Sequence, residues 1–238
     1  MSTRKLMVVS TSTVYGKGYL EYCQEDVKDF FKEASTVIFI PFARPGGISH
    51  DEYTAIAREK FTSLGITLKG VHEFDDPVKA IEEAQGVFTG GGNTFVLLKQ
   101  LYDQGVLLPL RKRITEGMPY MGTSAGSNIT GLTISTTNDM PIVYPPSFEA
   151  LQVLPFNINP HYLDPNPDSK HMGETRETRI KEFHYFNEQA VVGLREGSWL
   201  LVDGDQITLK GTLPVRMFEK GKDPYELPAD ADLSFLLS

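Results

Sequence analysis

Cysteine is nearly absent. The 238 residues contain one, Cys23, which excludes an internal disulfide framework and fits a reducing compartment such as the cytoplasm. Long apolar runs are missing too. Nothing approaches about 18 consecutive apolar residues, so no membrane span is expected. Behind the basic start, the run Leu6 to Val9 is too short for the core of a signal peptide. Basic blocks are scarce: the longest is Arg111-Lys112-Arg113, and 23 Lys and Arg face 31 Asp and Glu for a formal net charge of −8. Nucleic-acid phosphates reward clustered cations, so no nucleic-acid partner is expected, and the triplet reads as a solvated helix face. There is no His-Glu-x-x-His and no cysteine pair, so neither a metal nor a cofactor is expected.

What is present is the composition of a globular chain, 40% hydrophobic and 23% charged. The length suits one domain over residues 1–238, large enough to bury a core without staples. Neither an internal repeat nor a linker divides it.

The first half alternates two kinds of segment. Short apolar runs at 5–10, 36–43, 66–74, 86–94 and 119–123 read as strands. Between them, apolar residues spaced by three and four predict helices over 19–34, 50–65, 76–84, and two more before residue 117. His50 looks like a cap, and Asp76 caps a helix with Pro77 at its first position. Continuous apolar strands alternating with helices predict a mostly parallel sheet covered on both faces. In such sheets ligands sit outside the carboxyl ends of the strands. The second half is less regular: five prolines break the short strand-like runs from 131 to 162, a helix is expected over 174–188, the runs 190–194, 198–211 and 214–221 read as strands, and Asp203-Gly204-Asp205-Gln206 suggests a hairpin.

Two glycine-rich turns fall at strand carboxyl ends. In Gly122-Thr123-Ser124-Ala125-Gly126, small neighbours would let a strand–turn–helix lift the Ser124 hydroxyl out of the backbone. The amides behind it face an oxyanion position. Gly90-Gly91-Gly92-Asn93 matches neither a dinucleotide fingerprint nor a P-loop, but its amides can receive negative charge. A serine needs a base. Of the histidines, His72 reads as part of a strand and His184 as part of an amphipathic helix, which leaves His161 and His171. The carboxylates that could orient the base are Asp139, Asp164 and Glu196, and spacing does not choose among them.

Seven pieces, in this order, carry a resemblance: Ile-Pro-Phe-Ala (40–43), Gly-Gly-Gly-Asn-Thr-Phe (90–95), Ser-Ala-Gly (124–126), Thr-Thr-Asn-Asp-Met-Pro-Ile-Val (136–143), Ile-Asn-Pro-His-Tyr (158–162), Gly-Glu-Thr-Arg-Glu-Thr-Arg-Ile (173–180) and Gly-Leu-Arg-Glu-Gly-Ser-Trp (193–199). Together they resemble the peptidase E family of α-aspartyl dipeptidases, serine peptidases with a flavodoxin-like, class I glutamine amidotransferase-like α/β fold. The resemblance implies cleavage of small Asp-Xaa dipeptides by a monomer or homodimer. It implies Ser124 as nucleophile, His161 as base, and Asp139 or Glu196 as third member. It also implies the amides of Gly92 and Ala125 as oxyanion donors. Arg176 would bind the aspartyl carboxylate, with Arg179 as the neighbouring candidate. Thr123 stands where bacterial members carry a bulky aromatic, which leaves the pocket shape open. The proline-rich stretch 141–146 is a candidate for closing the far side of the site. Three other readings share parts of the pattern. They are an α/β-hydrolase esterase, a cyanophycinase-like peptidase of aspartate-containing polymers, and a non-catalytic binding protein of the same fold.

Overall fold

The computed structural model describes residues 3–166, 168, 170 and 172–237. Strand β1 (Lys5–Val9) is followed by a 3₁₀ turn at 21–23 and helix α1 (Gln24–Phe30). Next come β2 (Thr36–Ile40), α2 (His50–Ser63), β3 (Thr67–Gly70), α3 (Pro77–Glu82), β4 (Val87–Thr89), α4 (Thr94–Asp103), α5 (Leu107–Thr115), β5 (Tyr120–Thr123) and the single turn α6 (Ala125–Asn128). After a long irregular segment come β6 (Asn157–Pro160), α7 (Arg176–Phe183), β7 (Val191–Leu194), β8 (Ser198–Asp203), β9 (Gln206–Gly211), β10 (Val215–Phe218) and β11 (Tyr225–Leu227).

Capping residues set where the helices begin. The Ser49 hydroxyl accepts from Glu52 N–H while the Glu52 carboxylate accepts from Ser49 N–H, so two free amides of α2 are satisfied reciprocally. His50 is therefore the first helical residue and Ser49 the cap. Asp76 accepts from Lys79 N–H and Pro77 opens α3, as the sequence suggests. Several expected elements are shorter: the helix expected over 174–188 spans Arg176–Phe183, and the strand expected over 86–94 spans Val87–Thr89 before its glycine turn. The helix expected over 19–34 is α-helical only from 24 to 30. The strand expected over 66–74 stops at Gly70, because the Glu73 carboxylate turns back to accept the Gly70 N–H at 2.9 Å and closes a 3₁₀ turn that carries His72.

The main sheet has the order β3-β2-β4-β5-β1-β8-β9. Its first five strands are parallel, and β8 and β9 extend it antiparallel. Alternate residues of each strand feed opposite faces. Leu6 and Val8 join one buried cluster with Ile40 and Leu97, while Met7 and Val9 join another with Phe39 and Phe88. Both faces are dry, which is why these strands read as unbroken apolar runs. The expected hairpin is β8–β9, with Asp203 opposite Gln206 and Gly204 at φ 60° between them.

A second sheet, order β11-β10-β7-β6, pairs β6 parallel to β7 and the rest antiparallel. Ile158, Val192, Leu194 and Met217 from it lie in the same buried cluster as Leu6 and Val8. Among the described residues no helix is long and apolar enough to cross a membrane.

Candidate active site

The carboxyl ends of β4, β5 and β1 converge with the end of β6 and the β7–β8 link. Ser124 follows β5 directly, at φ 53° and ψ −110°, a conformation that costs a non-glycine residue on the order of 1–3 kcal/mol. Its neighbours show why the turn takes small residues. A Cβ on Gly122 would strike the Gly126 carbonyl, and one on Gly126 would strike the Thr89 carbonyl. The Ser124 amide donates to Val9 O (3.1 Å), and the Ser127 hydroxyl lies 2.7 Å from both Val9 O and Gly122 O, with its one proton to give to either. These bonds lock the elbow onto β1 and β5. The helix behind it is one turn long, so charge at this end is met by individual amides rather than by an extended helix dipole.

The Ser124 hydroxyl lies 2.8 Å from His161 Nε2, and His161 Nδ1 lies 2.7 Å from Glu196 Oε1. Register accounts for this alignment. β6 and β7 run parallel with Pro160 opposite Leu194, so His161 and Glu196 leave the same end of the second sheet. His161 is itself held at φ 53°, with its amide bonded to Ser10 Oγ (2.9 Å). Ser10 Oγ donates in turn to Leu194 O (2.7 Å). Ser10 thus stitches the end of β1 to the second sheet. The only sequence signal for it is a serine at the end of an apolar run.

Glu196 rides on a firmly held turn. Its neighbour Arg195 makes paired bonds to Asp164 (2.7 and 2.9 Å), two to Glu226 (2.9 Å each) and one to Pro214 O (2.6 Å). Asp164, one of the three carboxylates considered from sequence, is occupied by this arginine, which holds its carboxyl below the usual carboxylate range. Asp139 is placed elsewhere. Its Oδ2 accepts from Thr94 N–H (2.8 Å), Thr94 Oγ1 (2.6 Å) and Thr137 Oγ1 (3.1 Å). It therefore pins the loop after residue 136 to the start of α4. Asn93 Nδ2 adds a bond to Met140 O (2.9 Å), so the proline-rich stretch leaves from beside the glycine turn.

The glycine turn is held from both sides. Gly90 N–H donates to Ile40 O, Gly91 N–H to the Tyr53 hydroxyl (2.9 Å), and Asn93 N–H to Ala43 O (2.7 Å). Gly92 N–H and Ala125 N–H have no acceptor among the described residues. Gly92 sits at φ 145° with no room for a Cβ against Ala43 O. Gly91 touches the serine: a Cβ there would stand 3.0 Å from Ser124 Cβ. Two free amides therefore come from the two turns whose glycines meet at the serine.

Arg176 opens α7 behind its cap Thr175. Its Nη1 is buried without a hydrogen-bond partner, and it lines a cavity of about 40 Å³ with residues 135–138, Asn159 and Arg179. Burial pushes its pKa down, and the nearby charge of Glu196 opposes that shift. Arg179 is exposed and ion-paired with Glu174 at 3.8 Å. Thr123 is fully buried beneath the site with its hydroxyl unpaired. His184 is buried and bonded to Gln189 O (3.1 Å), and His171 lies outside the described residues. Among the described residues, Asp51, His72 and Glu73 are spaced as metal ligands could be. They lie beyond edge strand β3, with His72 bonded to Asp51 and Glu73 to Arg58 and Gly70.

A strained serine, an imidazole and a carboxylate in one hydrogen-bonded line, on the carboxyl edge of a parallel sheet, have the geometry of a serine hydrolase, and the chain's family and relatives make it a serine peptidase. Residues 6–210 match the model of "Peptidase family S51", and the chain belongs to that family. It is 49% identical to "Peptidase E" of Streptomyces coelicolor, covering 98% of this chain and 94% of that protein. It is 46% identical to the "Probable alpha-aspartyl dipeptidase" of Drosophila melanogaster, covering 99% and 98%. The crystal structure of a peptidase from an acI-B1 Actinobacterium superposes with a TM-score of 0.75 over 98% of both chains at 18% identity, a likeness of fold.

Proposed function

We propose that this protein hydrolyses dipeptides with an N-terminal aspartate through an acyl-enzyme on Ser124. The observation that carries the reading is the unbroken line Ser124–His161–Glu196 at 2.8 and 2.7 Å. His161 takes the hydroxyl proton as Ser124 attacks the aspartyl carbonyl, and Glu196 orients the imidazole and stabilises its charged form. The amides of Gly92 and Ala125 receive the oxyanion. His161 then gives the proton to the leaving amine, and water cleaves the ester by the reverse path. Arg176 binds the aspartyl carboxylate. Its buried, unpartnered Nη1 supports this, since a guanidinium kept from water without an anion is costly unless a ligand completes it. The names of the two close relatives point to the same activity. A cytoplasmic location is supported by the lone Cys23, whose thiol burial pushes up to about 12. The continuity of one core across both sheets supports a single domain.

The test is hydrolysis of Asp-Leu beside Glu-Leu, Asn-Leu and Leu-Leu by the wild type and Ser124→Ala. Cleavage confined to Asp-Leu is expected, falling about 10⁶-fold in the variant with folding intact. Undiminished turnover by Ser124→Ala would remove the serine from the mechanism.

A further inference from the structure

The sequence holds nine arginines. Seven of them bond to a carboxylate or a backbone carbonyl. Among the described residues, Arg44 and Arg176 have neither a hydrogen bond nor an ion pair. Arg44 is linked to the serine through Tyr53 and Gly91, and Arg176 lies by the loop 135–138 within the field of Glu196, though nothing in an acidic chain prevents an arginine from finding a carboxylate elsewhere.

Short links connect Arg44 to the serine. Its guanidinium lies over the Tyr53 ring, 5.1 Å from the centroid. The Tyr53 hydroxyl accepts from Gly91 N–H (2.9 Å) and donates to Gly91 O (3.2 Å), and Gly91 is packed against Ser124. The backbone is fixed as well. Ala43, the preceding residue, accepts from Asn93 N–H and abuts Gly92, while Pro45 restrains Arg44 from the other side. Arg44 thus leaves the end of β2, and the glycine turn and the serine leave the ends of β4 and β5 beside it. Arg176 approaches from the second sheet's side, by the loop 135–138.

An Asp-Xaa dipeptide carries two carboxylates, one on the aspartyl side chain and one at the C-terminus of the second residue. We propose that Arg44 binds the second residue's C-terminal carboxylate, so that the two unpaired guanidinium groups together measure the length of the substrate. The inference rests on the dipeptidase reading above. A planar guanidinium stacked on a ring keeps its N–H edge free for a carboxylate. A longer peptide or an amidated one presents a neutral amide at that point and loses the pairing. The apolar stretch 141–146 is then not needed to exclude longer chains.

The experiment compares kcat/KM for Asp-Leu and for Asp-Leu amide in the wild type, Arg44→Met and Arg44→Lys. The wild type is expected to favour the free carboxylate by about tenfold or more, the scale of a charge-assisted bond at an exposed site. The preference should sit in KM rather than kcat. It should collapse in Arg44→Met and survive in part in Arg44→Lys, which keeps the charge but not the fork. Equal use of both substrates by the wild type, or a preference that persists in Arg44→Met, overturns the assignment while leaving the dipeptidase reading standing. Cleavage of neither substrate by the wild type overturns both.

Discussion

Replacing Glu196 by Gln keeps the shape and removes the charge beside His161. The carboxylate oxygen and Nδ1 are 2.7 Å apart, which puts the two charge centres about 4 Å from each other. Half of the Glu196 side chain and a third of His161 are exposed, so the pair works at an effective dielectric between a protein surface and water. At that separation the attraction is about 1–4 kcal/mol, a loss in kcat of about 5- to 1,000-fold, and the exposure favours the lower half of that range. The glutamine amide is also free to turn its oxygen toward Nδ1–H, so the correct tautomer is kept. A buried carboxylate without that freedom loses about 10⁴ on the same change. The assay is Asp-Leu turnover by Glu196→Gln alone and in a His161→Ala background. In the chemical step Glu196 acts through the imidazole, so its substitution should cost nothing further in kcat once His161 is gone, while its field on Arg176 would show in KM. Asp139→Asn should behave differently. It loosens the clamp on Thr94 and the glycine turn, so it should keep its own cost in the His161→Ala background. A Glu196→Gln loss below twofold, or one that persists unchanged without His161, refutes the reasoning.

Two further outcomes follow from the backbone and the ion pairs. Gly126→Ala should abolish activity and lower Tm, because the added methyl meets the Thr89 carbonyl rather than a movable side chain; a variant with wild-type Tm would show that the elbow has slack. Asp164 is held below the usual carboxylate range by Arg195, so its pairing stabilises the fold above about pH 4 and is lost as pH falls through the lowered value. Arg195→Met should therefore flatten the decline of Tm on acidification below about pH 4. The same substitution should also reduce kcat, since Arg195 fixes the turn that carries Glu196.

The parallel half of the fold was legible because each signal was local. Apolar runs of four or five residues, Asp76 with Pro77, and the hairpin glycine each state their structure within a few positions. The second sheet was legible only in part: the runs 190–194 and 214–221 read as strands and became β7 and β10, while its other two strands gave no such signal. Asn157–Pro160 and Tyr225–Leu227 are too short to carry a period, and they become strands only because distant partners lie beside them. At the site, the serine and the glycine turns could be read from residue types at strand ends. The choice between Asp139 and Glu196 could not, because it depends on the Pro160–Leu194 register. Arg44 has no motif, and its meaning lies in the partner it lacks. The over-long β3 has a single cause: Glu73 folds back onto Gly70 after a sequence that otherwise reads as extended.

The proposed nucleophile stands on one sheet, and the proposed base and its acid leave the other. Ser124 comes from the main sheet, His161 from the end of β6, and Glu196 from the link that crosses between the two. A chain still emerging from the ribosome, having made everything up to the elbow, holds an exposed serine with no group to take its proton. Hydrolysis switches on only when the last third of the polypeptide has been synthesised and docked. On the proposed roles, the order of the elements along the chain keeps the serine without its base until the second sheet has formed.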